Sequence, residues 1–365
     1  MENRINRFIE QLNENHLDAS FITSIANVFY LSNFYTDPHE RLVAVYIDPT
    51  SDPILILPAM EMHDAKNAGW SYEMIGYHDH ENVWDLFYKH LQSLDQVPQT
   101  LGIEFNHLNV ERYHALKDIL PDVKLKNVTN LLNDLRVVKN KQEYTLLKKA
   151  ASLADLGIKI GVESIREGVS ELEIAATIEY ELKKQGVQQM SFATTVISGE
   201  KTASPHGVPD QTTIQKGDLV LFDLGVVYEG YCSDITRTVA FHSITEKQQH
   251  IYETVLAAEE KAIAAANIGI TAGKLDQIAR EHISAAGYGE YFTHRLGHGI
   301  GIDVHEFPSL HGESDVELVE GMSFTIEPGI YLPGEGGVRI EDMVFITKNG
   351  AESLTTYPKK LQIIT

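Results

Sequence analysis

The chain has 365 residues, 43% of them hydrophobic and 22% charged, which is ordinary for a soluble globular protein and long enough for two domains. Its 30 Lys and Arg against 52 Asp and Glu leave a net charge of −22, which argues against a nucleic-acid or anionic-membrane partner. Cys232 is the only cysteine, so no intrachain disulfide forms; with no apolar h-region at the start and no run near the ~20 residues of a membrane span, a reducing, cytoplasmic setting is expected.

In chain order, residues 2–15 have the spacing of an amphipathic helix, with Ile5, Phe8, Ile9 and Leu12 on one face. A strand is expected at 18–23 and a short helix and loop at 27–34. Two apolar strands follow at 41–48 and 53–58, separated by the turn residues Pro49, Ser51 and Asp52. A helix from Val83 and a strand at 101–105 continue the alternation, so residues 1–135 read as an α/β domain. Between apolar elements lies the polar loop Tyr35-Thr-Asp-Pro-His-Glu-Arg41, which reads on its residues as a solvated turn.

The basic stretch 135–143 marks the boundary to a second domain, 136–365. Helical spacing runs from Glu143 to about Arg166, and a second helix follows Ser170, where Ser170 and Glu173 have capping-box spacing. Strands are expected at 192–198, 219–222 and 236–241. The order then repeats: helices at 246–266 and 275–286, then strands at 322–326 and 338–346. Each half reads helix, helix, and a strand pair with two acidic residues, Asp223 and Asp234 first, Glu327 and Glu341 second, which suggests an internal duplication.

Those four acids sit in or beside apolar runs, in Leu221-Phe-Asp-Leu-Gly225, Cys232-Ser-Asp-Ile-Thr236, Thr325-Ile-Glu-Pro-Gly329 and Arg339-Ile-Glu-Asp342. A buried carboxylate is costly unless paired or bound to a cation, and no lysine cluster balances these four. Two divalent metals answer the need, with His298 of Leu296-Gly-His-Gly-Ile-Gly-Ile-Asp-Val-His-Glu306 as the nitrogen ligand. His294-Arg-Leu-Gly-His298 is not a helical zinc motif, because Arg295 stands where Glu is needed and Gly297, Gly299 and Gly301 disfavour a helix. His206 and His305 read as groups that either support a ligand from behind or face a substrate, and Cys232 as a buried strand residue. An oxygen-rich donor set suits Mn²⁺, Co²⁺, Fe²⁺ or Zn²⁺, and two such ions would hold a bridging water as hydroxide at neutral pH. Few cations flank the motifs, so amide hydrolysis is favoured over phosphate hydrolysis.

At these residues the chain resembles the pita-bread metallopeptidases: prolidases, aminopeptidase P and methionine aminopeptidases. The resemblance covers roughly residues 140–360 and includes five ligands in order. It implies that Asp223 holds one metal, that Asp234 and Glu341 bridge both, and that His298 and Glu327 hold the other. It further implies that Glu327 accepts a proton from the bridging water, that His206 and His305 contact the substrate and its oxyanion, and that His294, Tyr331 and Arg339 surround it. The preceding α/β domain and Arg339, where methionine aminopeptidases carry Gln, point to the Xaa-Pro branch. The expected fold is therefore α/β (α+β), a creatinase/prolidase-like domain followed by a pita-bread domain with a pseudo-two-fold duplication. The expected protein is a homodimeric Xaa-Pro dipeptidase using two divalent ions, most simply Mn²⁺, on a small peptide with proline second. Aminopeptidase P, which takes longer peptides, is the alternative; a non-catalytic relative or a creatinase-like enzyme is disfavoured by the full ligand set. The resemblance also implies that His39 and Arg41 belong to a lid over the partner subunit's site that binds a dipeptide's carboxylate.

Overall fold

The short apolar runs of the first third pair into one mixed six-stranded sheet. Its strands lie in the order Met74–Tyr77, Ile54–Pro58, Ala44–Ile47, Ala19–Ile22, Thr100–Ile103 and Lys124–Asn127. The two pairings of Ala44–Ile47 are antiparallel and the other three are parallel. Apolar side chains on both faces, among them Phe21, Tyr46, Ile56, Phe87 and Leu101, form the core of this unit. The computed structural model describes residues 1–94 and 96–365 and divides them into two units, Met1–Arg136 and Val137–Thr365. In the first unit the 35–41 loop has no regular structure; His39 has φ 53°, and Arg41 forms a two-pronged pair with Asp79 (2.9 and 3.2 Å).

The second unit is built twice over. Helices Lys141–Glu163 and Glu171–Lys184 precede the strands Thr195–Ser198, Leu219–Leu224 and Ile235–Phe241, which are neighbours in that order in one sheet. Helices Glu246–Ala265 and Ala272–Ala285 precede Gly297–Gly299, Ser323–Ile326 and Asp342–Thr347, again neighbours in that order. The correspondence extends to single residues. Ser170 and Thr271 each cap the second helix of their half, accepting from the N–H of Glu173 and Lys274. Each cap also bridges the segment ahead of its middle strand, Ser170 to Thr213 and Thr271 to Glu317.

Two local expectations are corrected, at Glu173 and at 338–346, and one further hairpin is present. Glu173 does not return to the Ser170 N–H to close a capping box; its carboxylate pairs with Arg166 instead. A short hairpin, Val226–Tyr228 with Tyr231–Cys232, precedes Asp234 and joins Gln189–Met190 in a three-stranded sheet of its own. The apolar run 338–346 is two strands: Gly336–Arg339 pairs with Gly329–Leu332, and Asp342–Thr347 pairs with Ser323–Ile326. The chain changes sheets at Ile340 and Glu341, where the Glu341 N–H donates to the Thr236 carbonyl (3.1 Å) in the other half of the fold.

Backbone approaches backbone closely at two glycines beside the expected ligands. A Cβ at Gly225 would lie 1.8 Å from the Ser233 carbonyl oxygen, and one at Gly297 1.9 Å from that of Thr325. Each contact sits beside an expected ligand, Asp234 or His298. Gly225→Ala and Gly297→Ala should each cost on the order of 3 kcal/mol in urea unfolding, since neither obstacle is a movable side chain.

Candidate metal centre and active site

The strand ends of both halves deliver their acids to one place. Asp223 is on Leu219–Leu224, Asp234 directly precedes Ile235–Phe241, Glu327 directly follows Ser323–Ile326, and Glu341 directly precedes Asp342–Thr347. His298 stands in the middle of Gly297–Gly299. Ligating atoms of Asp234, His298 and Glu341 lie within 4.8 Å of one another, and all three residues are buried. His298 Nε2 is 3.3 Å from Glu327 Oε1 and 3.7 Å from Asp234 Oδ2.

Those distances have a clear electrostatic reading. Burial, with His305 beside it, pushes the His298 imidazole down to about 3, so it is neutral at pH 7. Its Nδ1–H donates to the Gly299 carbonyl (3.2 Å), which leaves the Nε2 lone pair aimed at carboxylate oxygens. Lone pairs facing one another at this range repel unless a cation lies between them. Ligand atoms each about 2.1 Å from a shared ion stand roughly 3.0–3.4 Å apart, close to the spacing found here. Asp234 Oδ1 and Glu341 Oε1 are buried with no hydrogen-bond partner among the described residues. Orphaned buried oxygens of this kind are rare in folded proteins, and a bound cation satisfies them. The donor set therefore fits divalent metal ions.

Without a cation the carboxylates hold protons tightly. Burial, then the charge of neighbouring carboxylates, raises Asp234 and Glu341 well above the usual range. Burial raises Glu327 to about 7, the Arg339 charge opposing it. Glu341 Oε2 accepts from the Thr236 hydroxyl (2.6 Å), and Glu327 Oε1 from the Thr325 hydroxyl (3.2 Å), which fixes both carboxylates.

Asp223 is placed differently from the other four expected ligands. Arg339 Nη2 donates to its Oδ2 (2.5 Å), so one of its oxygens is already engaged. Arg339 is buried, and its Nε donates to the Thr236 hydroxyl oxygen (3.0 Å) and its Nη1 to the Tyr331 oxygen (2.9 Å). The Tyr331 hydroxyl in turn donates to His294 Nε2 (2.8 Å), whose Nδ1–H donates to the Arg295 carbonyl (2.8 Å). Burial lowers His294 to about 4 and raises Tyr331 to about 12, so the chain runs from guanidinium through a protonated phenol to a neutral imidazole. On the helix Ala272–Ala285, Arg280 donates to the carbonyls of Phe292 and His294 (2.9 and 2.8 Å), and Asp276 accepts the Leu296 N–H (3.0 Å), holding the segment that leads into His298.

These residues open onto a cavity of about 380 Å³, within the range of small-ligand sites. All five expected ligands line it, and its wall is completed by His206, His294, His305, Tyr331 and Arg339 together with Phe192, Val208 and Val304. The His305 ring is 4.1 Å from that of His298, nearly perpendicular to it. Cys232 is not a ligand: its thiol donates to the Ile302 carbonyl (3.2 Å), and burial pushes it up to about 12. His39 and Arg41 lie in the first unit, His39 largely exposed. Phe192, Val208 and Val304 carry no chemical signature in sequence, since an apolar residue before a strand or in a loop looks the same whether it faces a core or a cavity. The Lys139–Glu306 pair (3.2 Å), nearly sealed from solvent beside His305, was equally hidden because its partners are far apart in the chain.

Residues 145–348 match the model of metallopeptidase family M24, and residues 4–138 match the Creatinase/Prolidase N-terminal domain. The chain belongs to metallopeptidase family M24. It is 51% identical to a Bacillus subtilis (strain 168) protein described as "Putative dipeptidase YkvY", over 99% of this chain and 100% of that one. It is 43% identical to an "Xaa-Pro dipeptidase" of Lactobacillus delbrueckii subsp. lactis, over 97% and 96% of the two chains. The crystal structure of a prolidase from Pyrococcus horikoshii OT3 superposes with a TM-score of 0.92 at 39% identity, covering 99% of this chain and 100% of that one. The fold is thus that of a creatinase-like domain followed along the chain by an M24 pita-bread domain. No helix among the described residues is long and apolar enough to cross a membrane.

Because Glu327 titrates near 7 in the metal-free fold against an ordinary 4.5, the folded state keeps a proton that the unfolded chain has released. Its contribution to stability is present below pH 4.5 and is lost as the pH rises to about 7. The metal-free protein should therefore lose Tm across that window relative to Glu327→Gln. Adding Mn²⁺ should release protons, read by calorimetry in buffers of different ionisation enthalpy, and bind more weakly as the pH falls from 8 to 6.

Proposed function

We propose that the protein is a metal-dependent Xaa-Pro dipeptidase that hydrolyses the bond before proline. The observation that carries the reading is the buried cluster of Asp234, Glu341 and neutral His298, with Glu327 3.3 Å from His298 and two carboxylate oxygens that have no hydrogen-bond partner among the described residues. The end-to-end likeness to an Xaa-Pro dipeptidase and a prolidase supports the choice of substrate. Metal ions, when bound, supply Lewis acidity and an activated water. Asp223, Asp234, His298, Glu327 and Glu341 would hold them, and Mn²⁺ is the expected ion, with Co²⁺, Zn²⁺ or Fe²⁺ able to substitute.

The chain's own groups then have distinct tasks. Glu327, which lines the cavity 3.3 Å from His298, is the carboxylate that takes a proton from water and returns it to the leaving nitrogen, as the resemblance implies. His305, held below the usual imidazole range by burial and Arg295, can donate a hydrogen bond without carrying charge. His206, exposed at the cavity edge, is the second donor toward a developing oxyanion. Arg339 and Tyr331 keep His294 and Asp223 oriented. A proline nitrogen in a peptide bond has no N–H; a cavity walled by side chains such as Phe192, Val208 and Val304 makes no demand for one. A homodimer, in which the loop of Asp37, His39 and Arg41 limits peptide length at the other copy's site, agrees with the resemblance. A cytoplasmic location agrees with a lone, buried cysteine.

After chelation and add-back of Mn²⁺, Co²⁺ or Zn²⁺, the protein should release proline from Ala-Pro and Met-Pro and leave Ala-Pro-Ala intact. Cleavage of the tripeptide would make it an aminopeptidase P, and inactivity with every metal would sink the hydrolase reading. Glu327→Gln should lower kcat on Ala-Pro by roughly 10³-fold, and His206→Ala by about 10²-fold. Arg41→Ala should raise KM for dipeptides and admit tripeptides; unchanged kinetics on both would remove the lid.

A further inference from the structure

One wall of the cavity is a stretch with no strand or α-helix of its own. From the end of strand Thr195–Ser198 the chain makes a short 3-10 turn, Gly199–Ala203, and runs irregularly through Pro205, His206, Gly207, Val208 and Pro209, all of which line the cavity. Loops of this kind are held by whatever ties their ends. Here both ends meet one carboxylate. Glu171, the first residue of helix Glu171–Lys184, has no solvent exposure. Its Oε1 accepts from the Ser198 N–H (2.7 Å) and hydroxyl (3.0 Å) at the start of the loop. Its Oε2 accepts from Lys201 Nζ (2.6 Å) and from the Asp210 N–H (3.2 Å) at the end. Lys201 closes the figure by pairing with Asp210 (2.9 Å). Neither Glu171 nor Lys201 lines the cavity. On the opposite side the loop has lighter anchors: Arg339 Nη1 reaches the Pro205 carbonyl (3.4 Å), and the Thr202 hydroxyl oxygen accepts the Gly337 N–H (2.7 Å).

We propose that Glu171 and Lys201 are a positioning pair that sets the cavity wall bearing His206 and Val208, and through it substrate binding and turnover, without touching substrate or metal. The consequence for catalysis rests on the dipeptidase reading; the consequence for the loop does not. In Glu171→Gln the side chain keeps its shape, but one acceptor oxygen becomes an N–H donor facing donors, so either the Ser198 pair or the Lys201 and Asp210 pair is lost. Lys201→Met keeps the apolar stem and removes the bridge, at a side chain that is partly exposed and therefore gentler on folding. Lys201→Arg keeps the charge.

The test compares these variants of the full chain loaded with Mn²⁺. Hydrogen exchange of residues 199–210 should quicken at least about 10-fold in Glu171→Gln and Lys201→Met, with exchange in the helix Glu171–Lys184 and metal stoichiometry unchanged. kcat/KM on Ala-Pro should fall about 10- to 100-fold, with KM rising, and Lys201→Arg should restore both to within about 3-fold. Unchanged exchange in the loop would overturn the proposal, as would lost metal that accounts for the lost activity. If the parent cleaves no Xaa-Pro peptide, the dipeptidase reading fails, and the exchange measurement still decides whether the pair holds the loop. If Glu171→Gln does not fold, Lys201→Met and its Arg counterpart carry the decision.

Discussion

Four carboxylates are brought into one buried space, and their mutual repulsion is the constraint around which the second unit is arranged. Among the described residues no lysine lines the cavity to offset it. Arg339 engages Asp223, the hydroxyls of Thr236 and Thr325 each engage one further oxygen, and the rest of the charge is left to protons or cations. The raised carboxyls and the depressed imidazole are two faces of the same condition: the site is built for positive charge that the polypeptide does not itself provide.

The duplication explains how the acids arrive together. Each half contributes two of them from the same places in equivalent sheets. The histidine comes from the second half only, on a strand whose glycines let the Thr325 backbone pass close by. Outside this centre, several buried charges do a different job. Glu171 with Lys201, Glu306 with Lys139, and Asp276 with Arg280 each grip the backbone or the base of a loop that carries a histidine. The cavity histidines His206, His294 and His305 thus sit on irregular chain, with ion pairs just behind it.

Much of this was legible in the sequence because buried acids are conspicuous in apolar runs. Asp223 in Leu-Phe-Asp-Leu and Glu341 after Arg-Ile stand out by composition alone, and the repeated helix–helix–strand order ties them into halves. What stayed hidden depends on partners distant in the chain. Glu173 had the spacing for a capping box, yet Arg166 draws it away. Glu171, an acid in a first helical turn, has no local mark of its role, although its carboxylate closes a loop up to 39 residues on. The apolar stretch after Gly337 had the pattern of one strand, but its switch of sheets at Glu341 follows from a bond to Thr236 across the two halves. Local pattern encodes which segments are strands and helices; it carries no record of which distant group a side chain will choose.

The lone thiol has a use that follows from its position. Cys232 lies two residues before Asp234, with its hydrogen tied to the Ile302 carbonyl of the loop that leads to His305. Thiols react as thiolates, and this one is kept protonated and covered while the hairpin stays closed. Alkylating reagents therefore reach it only during excursions in which that hairpin parts from the loop. The native chain carries its own clock for breathing at the heart of the fold, and the rate at which an alkylating label accumulates counts those openings without any foreign reporter.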